Sequence, residues 1–128
     1  MITQDASSRP ADDIDPELLT FVEQVADSFV KWDLIRFFND NPHAVDPAEV
    51  IAHYSSREVR EVEKHLDGLV ETGVLRARQM NSGITTYSLA PDPAIRALVT
   101  RFVQACDDKR FRLVAIRFVI ELAARRKH

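Results

Sequence analysis

The sequence predicts a mainly helical domain that carries one small β-hairpin. Residues 31–89 divide into three short segments of helical apolar period followed by two strand-like runs. The third segment, residues 56–72, leads into Leu66-Asp67-Gly68-Leu69-Val70-Glu71-Thr72-Gly73-Val74-Leu75. It is apolar at helical spacing, stops at a glycine able to take the left-handed conformation, and enters a strand at once. Residues 74–79 then meet the polar turn Asn81-Ser82-Gly83, and the return run 84–89 is rich in β-branched and aromatic residues.

Taken in chain order, residues 1–13 are polar with no apolar period and read as a disordered lead-in. Asp15-Pro16-Glu17 is a helix start: a capping aspartate, proline in the first turn, and an acid near the positive helix end. Leu18, Val22, Val25, Ala26 and Phe29 continue at spacings of three and four; this helix either stops near Phe29 or runs on through Trp32. Residues 33–39 form the next helical segment, ended by Asn39-Asp40-Asn41-Pro42. Asp46-Pro47-Ala48-Glu49 repeats the starting signal and opens a short helix over 47–53. Tyr54-Ser55-Ser56 is the connection, with Ser55 or Ser56 capping the third helix.

Beyond the hairpin, Ala90-Pro91-Asp92-Pro93 starts another helix, striped by Ile95, Leu98, Val99, Phe102, Val103 and Cys106. Asp107-Asp108 either interrupts it or caps the next helical segment. Residues 111–124 are apolar on two faces, Phe111, Val114, Phe118 and Leu122 on one and Leu113, Ile116 and Ile120 on another. A helix apolar this far round needs two neighbours. A core of this size offers one, so the other is expected to be a second subunit. The helices at 15–30 and 93–126 are therefore expected to hold a homodimer.

Composition sets the frame. The chain has 128 residues, 45% hydrophobic and 29% charged, enough for one domain, expected over 14–128 with its centre at 31–90. The single cysteine, Cys106, excludes an internal disulfide and a cysteine-based zinc site and points to a reducing, cytoplasmic setting. No signal peptide or membrane-length apolar run is visible in the sequence. Net charge is −3 but unevenly spread: −6 over residues 1–30, −2 over 31–90 and +5 over 91–128.

The order helix, helix, helix, hairpin resembles a winged helix-turn-helix domain of the MarR and ArsR transcription-regulator type, with additional N- and C-terminal helices. The resemblance rests on Ile35, Phe37 and Phe38, then Val50, Ile51 and Ala52, then Val62, Leu66, Leu69 and Val70, and finally Gly73, Leu75, Tyr87 and Leu89. It covers about half of the chain and implies a sequence-specific binder of double-stranded DNA. Residues 56–72 would be the recognition helix, which lies in the major groove in such proteins, and residues 74–89 the wing.

That resemblance also names the residues expected at DNA. Arg57, Arg60 and Lys64 recur at spacings of three and four, with the first two placed for guanine or phosphate. Ser55 and Ser56 stand where a hydroxyl donates to phosphate. Arg76, Arg78, Asn81 and Ser82 lie at or near the hairpin tip, where winged-helix relatives reach the minor groove or the backbone. Glu58, Glu61 and Glu63 depart from the pattern, because carboxylates repel phosphates. The competing explanations are plain: ordinary solvated ion pairs on the helix and charge protection of an edge hairpin. A winged-helix module that binds protein instead of DNA is the alternative function.

No metal or cofactor is expected. Glu61 and His65 are four apart on a helix, but no third ligand is near in sequence, and zinc sites need three or four. No phosphate loop or nucleophile motif suggests an enzyme. Cys106 on its apolar stripe reads as a core residue.

Overall fold

The computed structural model describes residues 14–126. Each helix boundary has a local chemical cause. Asp15 accepts the Glu17 amide at 2.9 Å and Pro16 is next, opening α1 over Pro16–Gln24. Ser28 Oγ accepts the Lys31 amide at 3.2 Å and opens α2 over Phe29–Asp40. Neither expected boundary for the first helix is right: it ends at Gln24, short of Phe29. The chain bends at Val25, Ala26 and Asp27, where the Val25 and Ala26 amides both reach back to the Phe21 carbonyl. The Trp32 indole N–H takes up the Ala26 carbonyl at 2.6 Å. No glycine or proline marks this break, so the apolar period runs straight across it.

The segment after α2 corrects the sequence reading. The Asp46-Pro47 pair does not cap a helix. Val45–Pro47 form a strand, β1, and α3 begins only at Ala48, running to Ser55. Pro47 holds an extended backbone (φ −77°, ψ 166°) and makes no side-chain cap. Proline is admitted at the end of an edge strand because its missing N–H is not needed there.

Helix α4 is shorter than expected, Val59–Glu71 in place of 56–72. Ser56 is left-handed (φ 56°, ψ 42°) and ends α3. Its N–H bonds the His53 carbonyl and the Arg57 N–H bonds the Ala52 carbonyl, the paired closure of a Schellman turn. Neither serine caps α4: Ser55 Oγ donates to the Ala52 carbonyl at 3.2 Å, and Glu58 occupies the cap position with no side-chain bond. The far end of α4 closes the same way. The Gly73 amide meets the Val70 carbonyl and the Val74 amide meets the Leu69 carbonyl, both at 3.0 Å, with Gly73 at φ 87°.

Strands β2 (Leu75–Gln79) and β3 (Thr85–Leu89) form the hairpin, and β1 adds to its other side, giving an antiparallel sheet in the order β1-β3-β2. The turn is closed by the Met80 amide on the Ile84 carbonyl at 2.7 Å and the Gly83 amide on the Met80 carbonyl at 2.9 Å, with Gly83 at φ 90°. Asp92 caps α5, Pro93–Ala105, and Asp107-Asp108 does interrupt the apolar stripe: α6 starts afresh and runs over Lys109–Arg126, with Asp108 accepting the Arg110 amide. The described chain is thus mostly helical, six helices and a small three-stranded sheet, and none of these helices is long and apolar enough to cross a membrane. The lead-in expected over 1–13 lies outside the described residues.

One core joins all of this. Leu34, Ile35 and Phe38 of α2, Ile51 of α3, and Val62, Leu66 and Leu69 of α4 are fully buried together with Leu75, Tyr87 and Leu89 of the sheet. Phe102 of α5 stands against Phe21, Trp32 and Phe111, with ring centroids 5.2, 5.6 and 6.2 Å away. Of the residues that carry the resemblance, Phe37 and Val70 are only half-buried and Val50 is exposed.

Two substitutions test these causes by urea unfolding. Leu66→Ala, at a site with no solvent exposure, is expected to cost about 2–5 kcal/mol. Ser56→Gly relieves a left-handed non-glycine residue and is expected to stabilise by up to about 1 kcal/mol; a loss of stability would show that the Ser56 side chain contributes more than its backbone strain costs.

Candidate nucleic-acid interface

The cations singled out in the sequence fall into three groups. Arg57 does not share a helix face with Arg60 and Lys64. It lies in the turn 56–58, before α4 begins, and its guanidinium reaches Asp33 of α2 at 2.6 Å and Glu61 at 3.9 Å. It is half-buried and serves to tie the α3–α4 turn to α2. An exposed pair of this kind contributes at most about 1 kcal/mol, so its consequence is mainly positional. The expected stripe therefore reduces to Arg60 and Lys64, four apart and opposite the buried side of α4.

That outward side is not basic overall. It carries Arg60, Lys64, Asp67 and Glu71, with Glu61 and Glu63 on its flanks. Asp67 is engaged, since the Tyr87 hydroxyl of β3 donates to its Oδ1 at 2.8 Å. Burial, together with that bond, holds the Tyr87 phenol protonated far above its ordinary range. Tyr87 thereby fixes the sheet to α4, a role its sequence position did not reveal beyond packing.

Arg76 and Arg78 point the other way. The register pairs Arg76 with Ser88 and Arg78 with Thr86, while Leu75 and Ala77 pair with Leu89 and Tyr87. Because alternate residues take opposite faces, the two arginines lie on the face away from Tyr87, the core and α4. A shallow hollow lined by Val45, Arg76, Arg78, Thr86 and Ser88 marks this outer face. Asn81 and Ser82 are exposed at the tip, where Ser82 Oγ accepts the Ile84 amide at 3.5 Å. Among the described residues, none of Arg60, Lys64, Arg76 and Arg78 makes a side-chain hydrogen bond or ion pair.

The end of α3 holds Tyr54, which the sequence places in a connection, and His53, which it places at the end of the short helix. Tyr54 is 68% exposed and its ring lies 5.5 Å from Phe37; His53 beside it is also exposed. With Asp33, Arg36 and Asp40, Phe37 and Tyr54 border a hollow of about 370 Å³ between α2 and α3. The only signal for this was an aromatic residue at the end of a short helix.

His65, on the side of α4 facing α2, is not placed as a metal ligand. Its Nδ1 lies 3.4 Å from Ser28 Oγ, and among the described residues no group of three His, Cys, Asp or Glu is gathered. Burial, then the Lys31 ammonium, lowers its pKa below 6.5. Lys31 in turn bonds Asp27 at 3.0 Å, and Asp27 also holds Arg126 of α6. Burial pushes the Cys106 thiol up to about 11, which keeps it protonated and unreactive near neutrality.

The depressed pKa of His65 makes a stability prediction. The unfolded chain takes up this proton at a higher pH than the folded one, so the contribution of His65 to stability is complete above about pH 6.5 and is lost as pH falls through the folded value. Unfolding in urea at about pH 7.5 and about pH 5.5 should show a smaller acid loss for His65→Gln than for the native chain. Equal losses would mean that His65 titrates alike in both states.

Set against known protein families, curated proteins and solved structures, the chain finds no significant match in any of the three.

Proposed function

We propose that this chain is a winged helix-turn-helix protein that binds double-stranded DNA and regulates transcription as a cytoplasmic homodimer, without enzymatic activity. The observation that carries the proposal is the pair α3–α4, two helices joined by the three residues 56–58 and backed by a hairpin. A helix-turn-helix has a turn of this length, and its second helix enters the major groove. Helix α4 is held from behind by Val62, Leu66 and Leu69 and at its flank by the Tyr87–Asp67 bond, which leaves Arg60 and Lys64 outward and without protein partners among the described residues. Arg60 stands at the N-terminal turn of α4, the end that contacts base edges in helix-turn-helix proteins. Arg76, Arg78, Asn81 and Ser82 on the hairpin suit phosphate contact.

One observation favours a second reading, in which the same domain binds a protein. Four carboxylates, Glu61, Glu63, Asp67 and Glu71, surround Arg60 and Lys64 on α4, and Arg57 is engaged by Asp33. A basic protein surface would meet this face without the repulsion that phosphates encounter.

Fluorescence anisotropy with duplex DNA separates the two. DNA binding should weaken steeply as salt rises, because bound cations release counterions. Arg60→Ala should cost on the order of 1–3 kcal/mol on a preferred site if Arg60 reads a base, whereas Arg78→Ala should weaken all sequences alike. Glu63→Gln removes a repulsive charge and should tighten non-specific binding; Glu61→Gln should act likewise, less the support that Glu61 lends Arg57. If neither the native chain nor these two glutamine variants binds any duplex at low salt, the protein-binding reading replaces DNA binding.

A further inference from the structure

We propose that the outer face of the sheet binds the phosphate monoester group of a small organic molecule, with Arg76 and Arg78 of β2 holding the phosphoryl oxygens and the Ser88 hydroxyl of β3 donating to them. The site needs neither α4 nor DNA; only its effect on duplex binding rests on the function proposed above.

Strand pairing assembles the site. The register sets Val45, Ser88 and Arg76 side by side in one row, and Pro47, Thr86 and Arg78 in the next. Both rows lie on the face away from Tyr87, because alternate residues of a strand take opposite faces. A hollow of about 340 Å³ opens on this face, bordered by Val45, Arg76, Arg78, Thr86 and Ser88. That volume falls within the range of about 300–1,000 Å³ usual for small-molecule sites.

The charges around the hollow are of one sign. Both charged side chains that border it are cations. Asp46, the one acid in the three described strands, pairs with Tyr87 and so takes the opposite face. Neither arginine makes a side-chain hydrogen bond or ion pair among the described residues, and the Ser88 hydroxyl makes none either. Thr86 is engaged differently: its Oγ1 donates to the Arg78 carbonyl at 3.3 Å. The free donors are therefore two guanidinium groups and one hydroxyl. Charge protection of an edge strand accounts for cations on β2, but it does not require a free hydroxyl on the middle strand beside them.

This donor set suits a dianion. A phosphate monoester carries a charge of about −1.5 to −2 near neutrality, which matches two arginines. A carboxylate or a backbone phosphodiester carries a single charge and leaves one guanidinium unmatched. Residues two apart on a strand have their Cα atoms about 7 Å apart, so two arginine side chains can meet on one group. Each guanidinium can give a pair of parallel N–H bonds to two phosphate oxygens. Val45, 58% exposed, stands across Ser88 from Arg76 and offers an apolar contact to the organic part of the ester.

Amide-resolved NMR titration of the full chain at fixed ionic strength tests the site, with phenyl phosphate as the probe. Saturable shifts are expected at residues 76–78 and 86–88. Arg76→Gln and Arg78→Gln, both at exposed positions, should each weaken binding about tenfold or more while the far-ultraviolet circular dichroism is kept. Diphenyl phosphate, a diester, should bind at least about tenfold more weakly than the monoester. Val45→Ser should remove the preference for phenyl phosphate over inorganic phosphate. No saturable shift up to about 10 mM, an affinity indifferent to both arginine variants, or a diester bound as tightly as the monoester overturns the site. Occupancy withdraws both arginines from a duplex backbone, so saturating phenyl phosphate should weaken duplex binding as much as the two arginine substitutions together do. Duplex binding that phenyl phosphate leaves unchanged overturns this coupling. A chain that takes phenyl phosphate but no duplex keeps the site and loses the function proposed above. A chain whose duplex binding the arginine variants weaken, but which takes no phenyl phosphate, has no such site.

Discussion

The packing of Phe102 is the contact on which the rest of the structure depends. Its ring is almost fully buried and meets Phe21 of α1, Trp32 of α2 and Phe111 of α6 from three directions. No other side chain joins four helices through its ring contacts among the described residues. Because α5 and α6 are distant in sequence from α1 and α2, this cluster is what turns the terminal helices into a platform. The α2 helix then carries the platform's position to α3 and α4 through Leu34, Ile35 and Phe38. Edge-to-face geometry, with Trp32 and Phe111 near perpendicular to Phe102, adds direction to what burial alone would leave loose.

Charge is arranged on top of that platform and has a different effect. Ion pairs connect elements far apart in sequence: Arg101 holds Asp15 and Glu17, Arg126 holds Asp27, and Arg57 holds Asp33. The acidic start and the basic end of the chain therefore neutralise one another in space, as far as the described residues extend. These pairs are exposed on at least one side, and their energies are small. Their effect is on which cations remain available. Arg57 is used within the protein, and Arg60 and Lys64 are not.

Asp27 sits where two lines of contact cross. It accepts from Lys31 and from Arg126, while neighbouring Ser28 caps α2 and lies beside His65 of α4. Lys31 also lies over Gly68, where an added Cβ would come within 3.0 Å of its Nζ and Cε. The corner between α1 and α2 thus touches both α4 and the end of α6. This corner is a polar link between the terminal helices and α4.

Much of the architecture was determined by the sequence alone. The proline-led starts at Pro16 and Pro93, the glycine at Gly73 and the turn at Gly83 have local causes, since capping and left-handed backbone depend on a few adjacent residues. The apolar rows of α4 and α5 are local in the same sense, because helical period needs no partner to be seen. What lacked a local signal was decided by tertiary structure. The break between α1 and α2 carries no glycine or proline, and the apolar period runs across it, so its place is set where Trp32 meets the Ala26 carbonyl and Phe102. The strand at Val45–Pro47 exists only because β3 lies alongside, for strand pairing is a property of two segments. Arg57 read as a helix-face cation until Asp33, 24 residues earlier, came within 2.6 Å. Composition and period specify which residues want burial, capping or charge; the partner that satisfies each distant one is chosen only when the chain closes on itself.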